Sequence, residues 1–132
     1  MAIDMEELGY EYFEENYDEF FEDLACSTLK KYGYERVEDS DFIKFKKGDI
    51  EVYVWPGVPE LEFIAENLKG KPDSPLLDLL KKDLKRVMDI ERLEWDEDGF
   101  YLIGVVYVDE YMDEYIEKCV AVVEDFFALA KR

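Results

Sequence analysis

Ten consecutive residues, Gly99 to Val108, carry no charge in a chain whose charged content is 39%. The run reads Gly-Phe-Tyr-Leu-Ile-Gly-Val-Val-Tyr-Val. It is rich in β-branched and aromatic side chains and too short for the ~20 residues of a membrane helix. It predicts a strand from Phe100 to Val108 that is apolar on both faces, as in a central or doubly covered strand. Asp98-Gly99 before it marks a tight turn, so Glu91 to Asp96 is the other arm of a hairpin. A chain holding such a strand must supply a sheet and something to cover it.

The rest of the sequence supplies both. From Asp4 to Tyr32, Phe13, Tyr17, Phe20, Phe21, Leu24, Ala25 and Leu29 recur at helical spacing. Lys30 and Lys31 lie where a helix C-terminus favours cations, and Gly33 is a stop. Three strands follow: Tyr34 to Glu38, Asp41 to Lys46 and Asp49 to Trp55. In the last, Ile50, Val52 and Val54 alternate with Glu51, Tyr53 and Trp55, until Pro56-Gly57-Val58-Pro59 ends it. Glu60 to Leu68 fits two periods. Leu61, Ile64 and Leu68 suit a short helix, Leu61, Phe63 and Ala65 an edge strand, and the helix is the reading adopted. Ser74-Pro75 opens a helix whose stripe (Leu76, Leu77, Leu80, Leu84, Val87, Met88) runs to Asp89. Glu110 to Ala130 is the last helix.

The expected fold is therefore one α+β domain over residues 1–132. Its order is α-β-β-β-α-β-β-α, closing as an antiparallel five-stranded sheet with helices packed on it.

The net charge of −19 is uneven. Residues 1–23 carry ten acids and no base, residues 89–125 carry thirteen acids against Arg92 and Lys118, and residues 69–88 are mildly basic. Such a field repels nucleic acid and anionic membranes and attracts cationic partners. The absence of Gln beside many Glu, Asp and Lys fits a thermophile better than a halophile. With no basic region followed by an apolar stretch at the N-terminus, the expected location is the cytoplasm.

The chain has no His, which removes the usual neutral-pH general base, the Ser-His and Cys-His nucleophile pairs and most zinc sites. Cys26 and Cys119 fall in helices among apolar neighbours. They read as buried thiols, with a bridge open only if the two helices pack side by side. Glu94, Asp96, Asp98 and Gly99 resemble the start of a calcium loop, but Val105 stands where the bidentate Glu belongs, so a hairpin turn is the better reading. No catalytic residue, metal site or cofactor is expected.

Two features point to binding instead. Tyr53 and Trp55 alternate away from the aliphatic face of their strand, while Tyr101, Ile103, Val105 and Tyr107 give the last strand a second apolar face. Tyr53, Trp55, Tyr101, Ile103 and Tyr107 are thus candidate partner-binding residues. Lys81, Lys82, Lys85 and Arg86 form a basic face on the middle helix that an acidic helix of a twin could oppose.

In element order, size and acidity the chain resembles the type III secretion chaperone-like superfamily, which includes the YbjN proteins. The segment Glu60 to Leu68 is an addition to that pattern. The resemblance implies a non-enzymatic homodimer that holds a segment of another protein. Two alternatives differ in class. One is a nucleic-acid mimic presenting Glu14, Glu15, Asp18, Glu19, Glu22 and Asp23 to a basic groove. The other is a carboxylate-based hydrolase or metal-binding protein, which needs a concave cluster of acids.

Overall fold

The computed structural model describes residues 10–38, 40–66, 68 and 74–130, without the side chains of residues 10–16 and 74. Among these, three helices and six strands run in the order α1 (Tyr10–Lys31), β1 (Glu35–Arg36), β2 (Ile43–Lys47), β3 (Ile50–Trp55), β4 (Glu60–Ala65), α2 (Ser74–Leu84), β5 (Met88–Asp96), β6 (Gly99–Val106) and α3 (Met112–Ala130). The strands form one antiparallel sheet in the order β1-β2-β3-β4-β6-β5. The α+β class and the antiparallel sheet agree with the sequence. The sheet has six strands rather than five.

The sixth strand is the segment expected to be a helix. Glu60 to Ala65 pairs with β3 on one side and β6 on the other, so it is an interior strand rather than a helix or an edge. Its two glutamates favour a helix by propensity. That preference is overridden because Leu61, Phe63 and Ala65 enter the core at a period of two. Pro56 to Pro59 is therefore a hairpin loop, held to the sheet by a hydrogen bond from the Val106 amide to the Pro59 carbonyl.

Other boundaries also move, and residues 4–9 of the first expected helix lie outside the described residues. β1 shortens to Glu35–Arg36 at the edge of the sheet. α2 stops at Leu84, and the buried Val87 and Met88, expected at the end of its stripe, form the turn into β5 and its first residue. β6 ends at Val106, beyond which the Tyr107 amide donates to the Val87 carbonyl.

α3 is the middle helix over the sheet. It packs on α1 and on α2, while α1 rests on β1 and β3 and α2 on β5. Ile116, Cys119, Val120, Val123, Phe126 and Phe127 of α3 join Phe21, Ala25 and Leu29 of α1 and the buried alternates of every strand from β2 to β6 in one core. Phe126 and Phe127 each pack on the Phe100 ring, and Trp95 meets Phe126 edge-on at 5.3 Å. Burying a large apolar side chain contributes about 1.5–3 kcal/mol. This aromatic group is thus the main tie between helix and sheet.

Two glycines carry specific geometry. Gly33 is left-handed at φ 92°, and the Gly33 and Tyr34 amides donate to the Lys30 and Leu29 carbonyls, which closes α1. Gly99 has φ 137°, and a Cβ there would lie 2.6 Å from the Ala65 carbonyl oxygen. The hairpin loop itself is Glu97-Asp98, since Asp96 pairs with Gly99. The glycine is thus required twice, by its positive φ at the end of the hairpin loop and by the close approach of β4.

The end of α1 is also tied down by Lys47. Its ammonium donates to Glu124 Oε1 at 2.7 Å and to the Tyr32 carbonyl at 2.9 Å, and lies 4.6 Å from the centre of the Tyr34 ring. The Glu124 carboxylate, with only a fifth of its side chain exposed, has this one cation partner among the described residues. Lys47→Met should destabilise the fold by about 1–2 kcal/mol, because a half-buried carboxylate loses its partner. In a denaturant double-mutant cycle, Glu124→Gln should cost less in the Lys47→Met background than alone; additive costs would mean the pair is not coupled.

Candidate docking surface on the uncovered sheet face

Strand alternation sends one set of side chains into the core and the other to the opposite face. No described helix packs on that opposite face. Its residues fall into three rows set by the strand register. One runs Trp55, Glu60, Val105, Asp89. The next runs Lys44, Tyr53, Glu62, Ile103, Arg92, and the third Lys46, Glu51, Ile64, Tyr101, Glu94. Trp55, Tyr53, Ile64, Tyr101, Ile103 and Val105 are each half-buried, shielded by their neighbours in the sheet.

Of the five candidate residues, the structure gathers four on this face: Tyr53, Trp55, Tyr101 and Ile103. Tyr107 does not join them. It lies past the end of β6, its hydroxyl donates to the Lys85 carbonyl at 3.0 Å, and its ring meets Tyr115 edge-on. Phe42 is an addition not expected from the sequence. Its ring is 54% exposed and packs 5.3 Å from Trp55 and 6.4 Å from Tyr53, while Tyr53 and Trp55 stack at 6.1 Å. The signal in the sequence is its place two residues before the alternate Lys44 on β2. Its position just before the start of β2 conceals it.

The strand expected to be apolar on both faces is interior but covered on one face only. Gly104 makes room on the covered face, where an added Cβ would lie 2.5 Å from the Met88 sulfur. A bulge between Ile90 and Arg92 bends β5 at the edge of the sheet. It sets Glu91 beside the row that holds Glu60.

The electrostatics of the face are uneven. Lys44 pairs with Glu51 at 3.3 Å and lies 5.5 Å from the Tyr53 ring centre. Arg92 pairs with Glu94 at 2.8 Å and covers the Tyr101 ring at 4.4 Å. Glu60 and Glu62, on the interior strand, have no cation partner among the described residues. Burial, and then the Glu91 and Glu62 carboxylates, hold the Glu60 carboxyl above its usual range. Burial and the Glu62 carboxylate likewise push the Tyr101 phenol up.

The other candidate chemistry is placed as follows. Burial raises both thiols, Cys119 to about 12, and both are free. Their helices do pack side by side, yet no bridge joins them. Glu94, Asp96, Asp98 and Gly99 form the β5–β6 hairpin, and among the described residues no three His, Cys, Asp or Glu side chains are arranged to hold a metal ion. Asp18, Glu19 and Asp23 of α1 are exposed and Glu22 is half-buried, while the side chains of Glu14 and Glu15 lie outside the described residues. On the helical side, a small apolar cleft between α2 and α3 is lined by Leu76, Leu79, Leu80, Val122, Phe126 and Leu129. No described helix is long and apolar enough to cross a membrane.

No known protein family matches this chain, and no curated protein or solved structure matches it.

The raised Glu60 carboxyl has a consequence for stability. A carboxyl that holds its proton more tightly when folded contributes less to stability as pH rises through the interval between its unfolded and folded values. Glu60→Gln should therefore melt at a higher temperature than the unaltered chain at pH 7. The gap should close once pH falls below the ordinary value of 4.5. Thermal melts at both pH values check this, with Glu97→Gln at the exposed hairpin tip as the control for net charge.

Proposed function

We propose that this chain is a non-enzymatic, chaperone-like protein-binding module that holds a segment of another protein against its uncovered sheet face. The observation that carries the reading is the three-row surface. Aromatic and aliphatic side chains from β3, β4 and β6, extended by Phe42, share one face, with Glu60 and Glu62 between the β3 and β6 groups and no described element over it. Patches of this kind gain free energy by being covered, and aromatics contribute large area at small entropic cost. Burial raises both thiols, so neither is a ready nucleophile, in keeping with binding rather than thiol chemistry. The free cysteines fit a reducing compartment such as the cytoplasm. The resemblance in element order to type III secretion chaperone-like proteins agrees with this role.

A homodimer is the second part of the proposal, and a separate surface favours it. Leu79 and Leu129 are 53% and 46% exposed at the α2–α3 cleft, beside Asp83 and Asp125. The exposed Lys81, Lys82, Lys85 and Arg86 lie on α2 or just after it. A two-fold axis here would bring the cations of one copy toward the acids of the other and cover both leucines. The sheet face would stay free.

Sedimentation velocity separates the two surfaces. The unaltered chain should sediment as a dimer that weakens with added salt, and Leu79→Glu with Leu129→Glu should make it monomeric. Trp55→Ala should leave the dimer intact. A dimer lost with Trp55→Ala would assign self-association to the sheet face instead, and a strict monomer at high concentration would remove the dimer.

A further inference from the structure

Resting on the reading that the uncovered sheet face is the docking surface, we propose that its occupant is a cationic amphipathic helix of another protein. Two basic side chains one turn apart would lie over Glu60 and Glu62, and flanking apolar side chains would cover Trp55, Tyr53, Ile103 and Val105.

The register makes the case. Glu60 stands between Trp55 and Val105 in its row, and Glu62 between Tyr53 and Ile103 in the next. Each carboxylate thus sits on an interior strand with an apolar neighbour on either side. The cations nearest to them are already engaged, Lys44 by Glu51 and Arg92 by Glu94. The middle of the face is therefore apolar in area and anionic in charge. The Glu60 carboxyl, held up by burial and by Glu91 and Glu62, shows that the negative charge there is already poorly solvated.

Three other occupants fit less well. A wholly apolar segment would desolvate both carboxylates without compensation. A second copy of this face would set acid against acid in a chain of net charge −19. Nucleic acid or an anionic bilayer would be repelled. A lysine or arginine supplies the missing charge, and its aliphatic stem adds contact with the rings beside it.

A helix fits the geometry of this face and pairs its own backbone N–H and C=O groups, which an extended segment laid flat on a sheet face could not do. Residues two apart on a strand are about 7 Å apart along it, and residues four apart on a helix are separated by about 6 Å. Two basic residues at i and i+4 therefore match the spacing of Glu60 and Glu62. A helix laid on the bare face would also complete the common arrangement of helices on both sides of a sheet.

The test uses three synthetic helical peptides with one apolar face and, centred on it, two Lys, two Gln or two Glu at i and i+4. Isothermal titration into the full chain should show the Lys peptide binding about tenfold tighter than the Gln peptide or better, and the Glu peptide not binding. Glu60→Gln with Glu62→Gln should bring the Lys and Gln peptides within about twofold of each other. Asp18→Asn with Asp23→Asn, the same change in net charge on α1, should leave the difference in place. Trp55→Ala should weaken both peptides. Equal binding of Lys and Gln peptides, still lost in Trp55→Ala, would overturn the cationic partner and leave the docking face standing. The cationic partner is also overturned if the α1 pair matters as much as the β4 pair. Binding that is indifferent to Trp55→Ala, or no binding of any peptide, would overturn the docking face itself.

Discussion

Alternation along a strand ties the two faces of a sheet together, so every residue chosen for one face fixes its neighbours on the other. In this protein the constraint falls hardest on β4 and β6. Their core alternates, Leu61, Phe63, Phe100 and Leu102, are packed under α3 and are essentially without solvent contact. The intervening Glu60, Glu62, Ile64, Tyr101, Ile103 and Val105 are committed to the opposite face by the same geometry. With all three helices on one side, that second face has to be resolved by side chains alone. The outcome is a mosaic in which rings and aliphatic groups shield one another, Lys44 and Arg92 each meet an acid and a ring, and Glu60 and Glu62 on the interior strand have no cation partner among the described residues.

The uncovered face and the aromatic core depend on each other. Phe126, Phe127, Phe100 and Trp95 hold the helical layer in place, so the sheet keeps one register and the three rows keep their order. The bulge in β5 and the short β1 blunt the two edges of the sheet, where open backbone would otherwise invite strand addition. On the helical side, the Lys47–Glu124 pair and the capped end of α1 fix the corner where α1, β2 and α3 meet. The helical layer is thereby made a rigid support for the surface behind it.

Much of this is legible in the sequence, and the parts that are not have identifiable causes. The period-two pattern of Ile50 to Trp55 stands in the structure, and so do the β5–β6 hairpin and, among the described residues, the helical stripes of α1 and α3 and that of α2 as far as Leu84. Glu60 to Leu68 looks helical because Leu61, Ile64 and Leu68 stand at helical spacing, and its glutamates are poor strand residues in isolation. They are tolerated only because they face away from the core, and that depends on β6, far off in the chain. Val87 and Met88 continue the helical stripe of α2 in spacing, yet the chain turns at Lys85 to feed the sheet. The clustering of Tyr53, Trp55, Tyr101 and Ile103 is visible as surplus apolar alternation. The exit of Tyr107 and the entry of Phe42 are not, since both lie just beyond strand ends, where alternation no longer fixes direction. The isolation of Glu60 and Glu62 from any cation cannot be read at all, because it depends on which lysine each other acid recruits.

If the second face of the sheet is open to solvent until a partner covers it, the two tryptophans report on it directly. Trp55 lies on that face, whereas Trp95 is 7% exposed beneath α3. Acrylamide quenching of the single-tryptophan forms, Trp95→Phe and Trp55→Phe, compares the two at low protein concentration. Trp55 should be quenched several-fold more readily than Trp95, and a bound partner should abolish the difference. Equal protection of both tryptophans in the isolated, folded chain would contradict an open face.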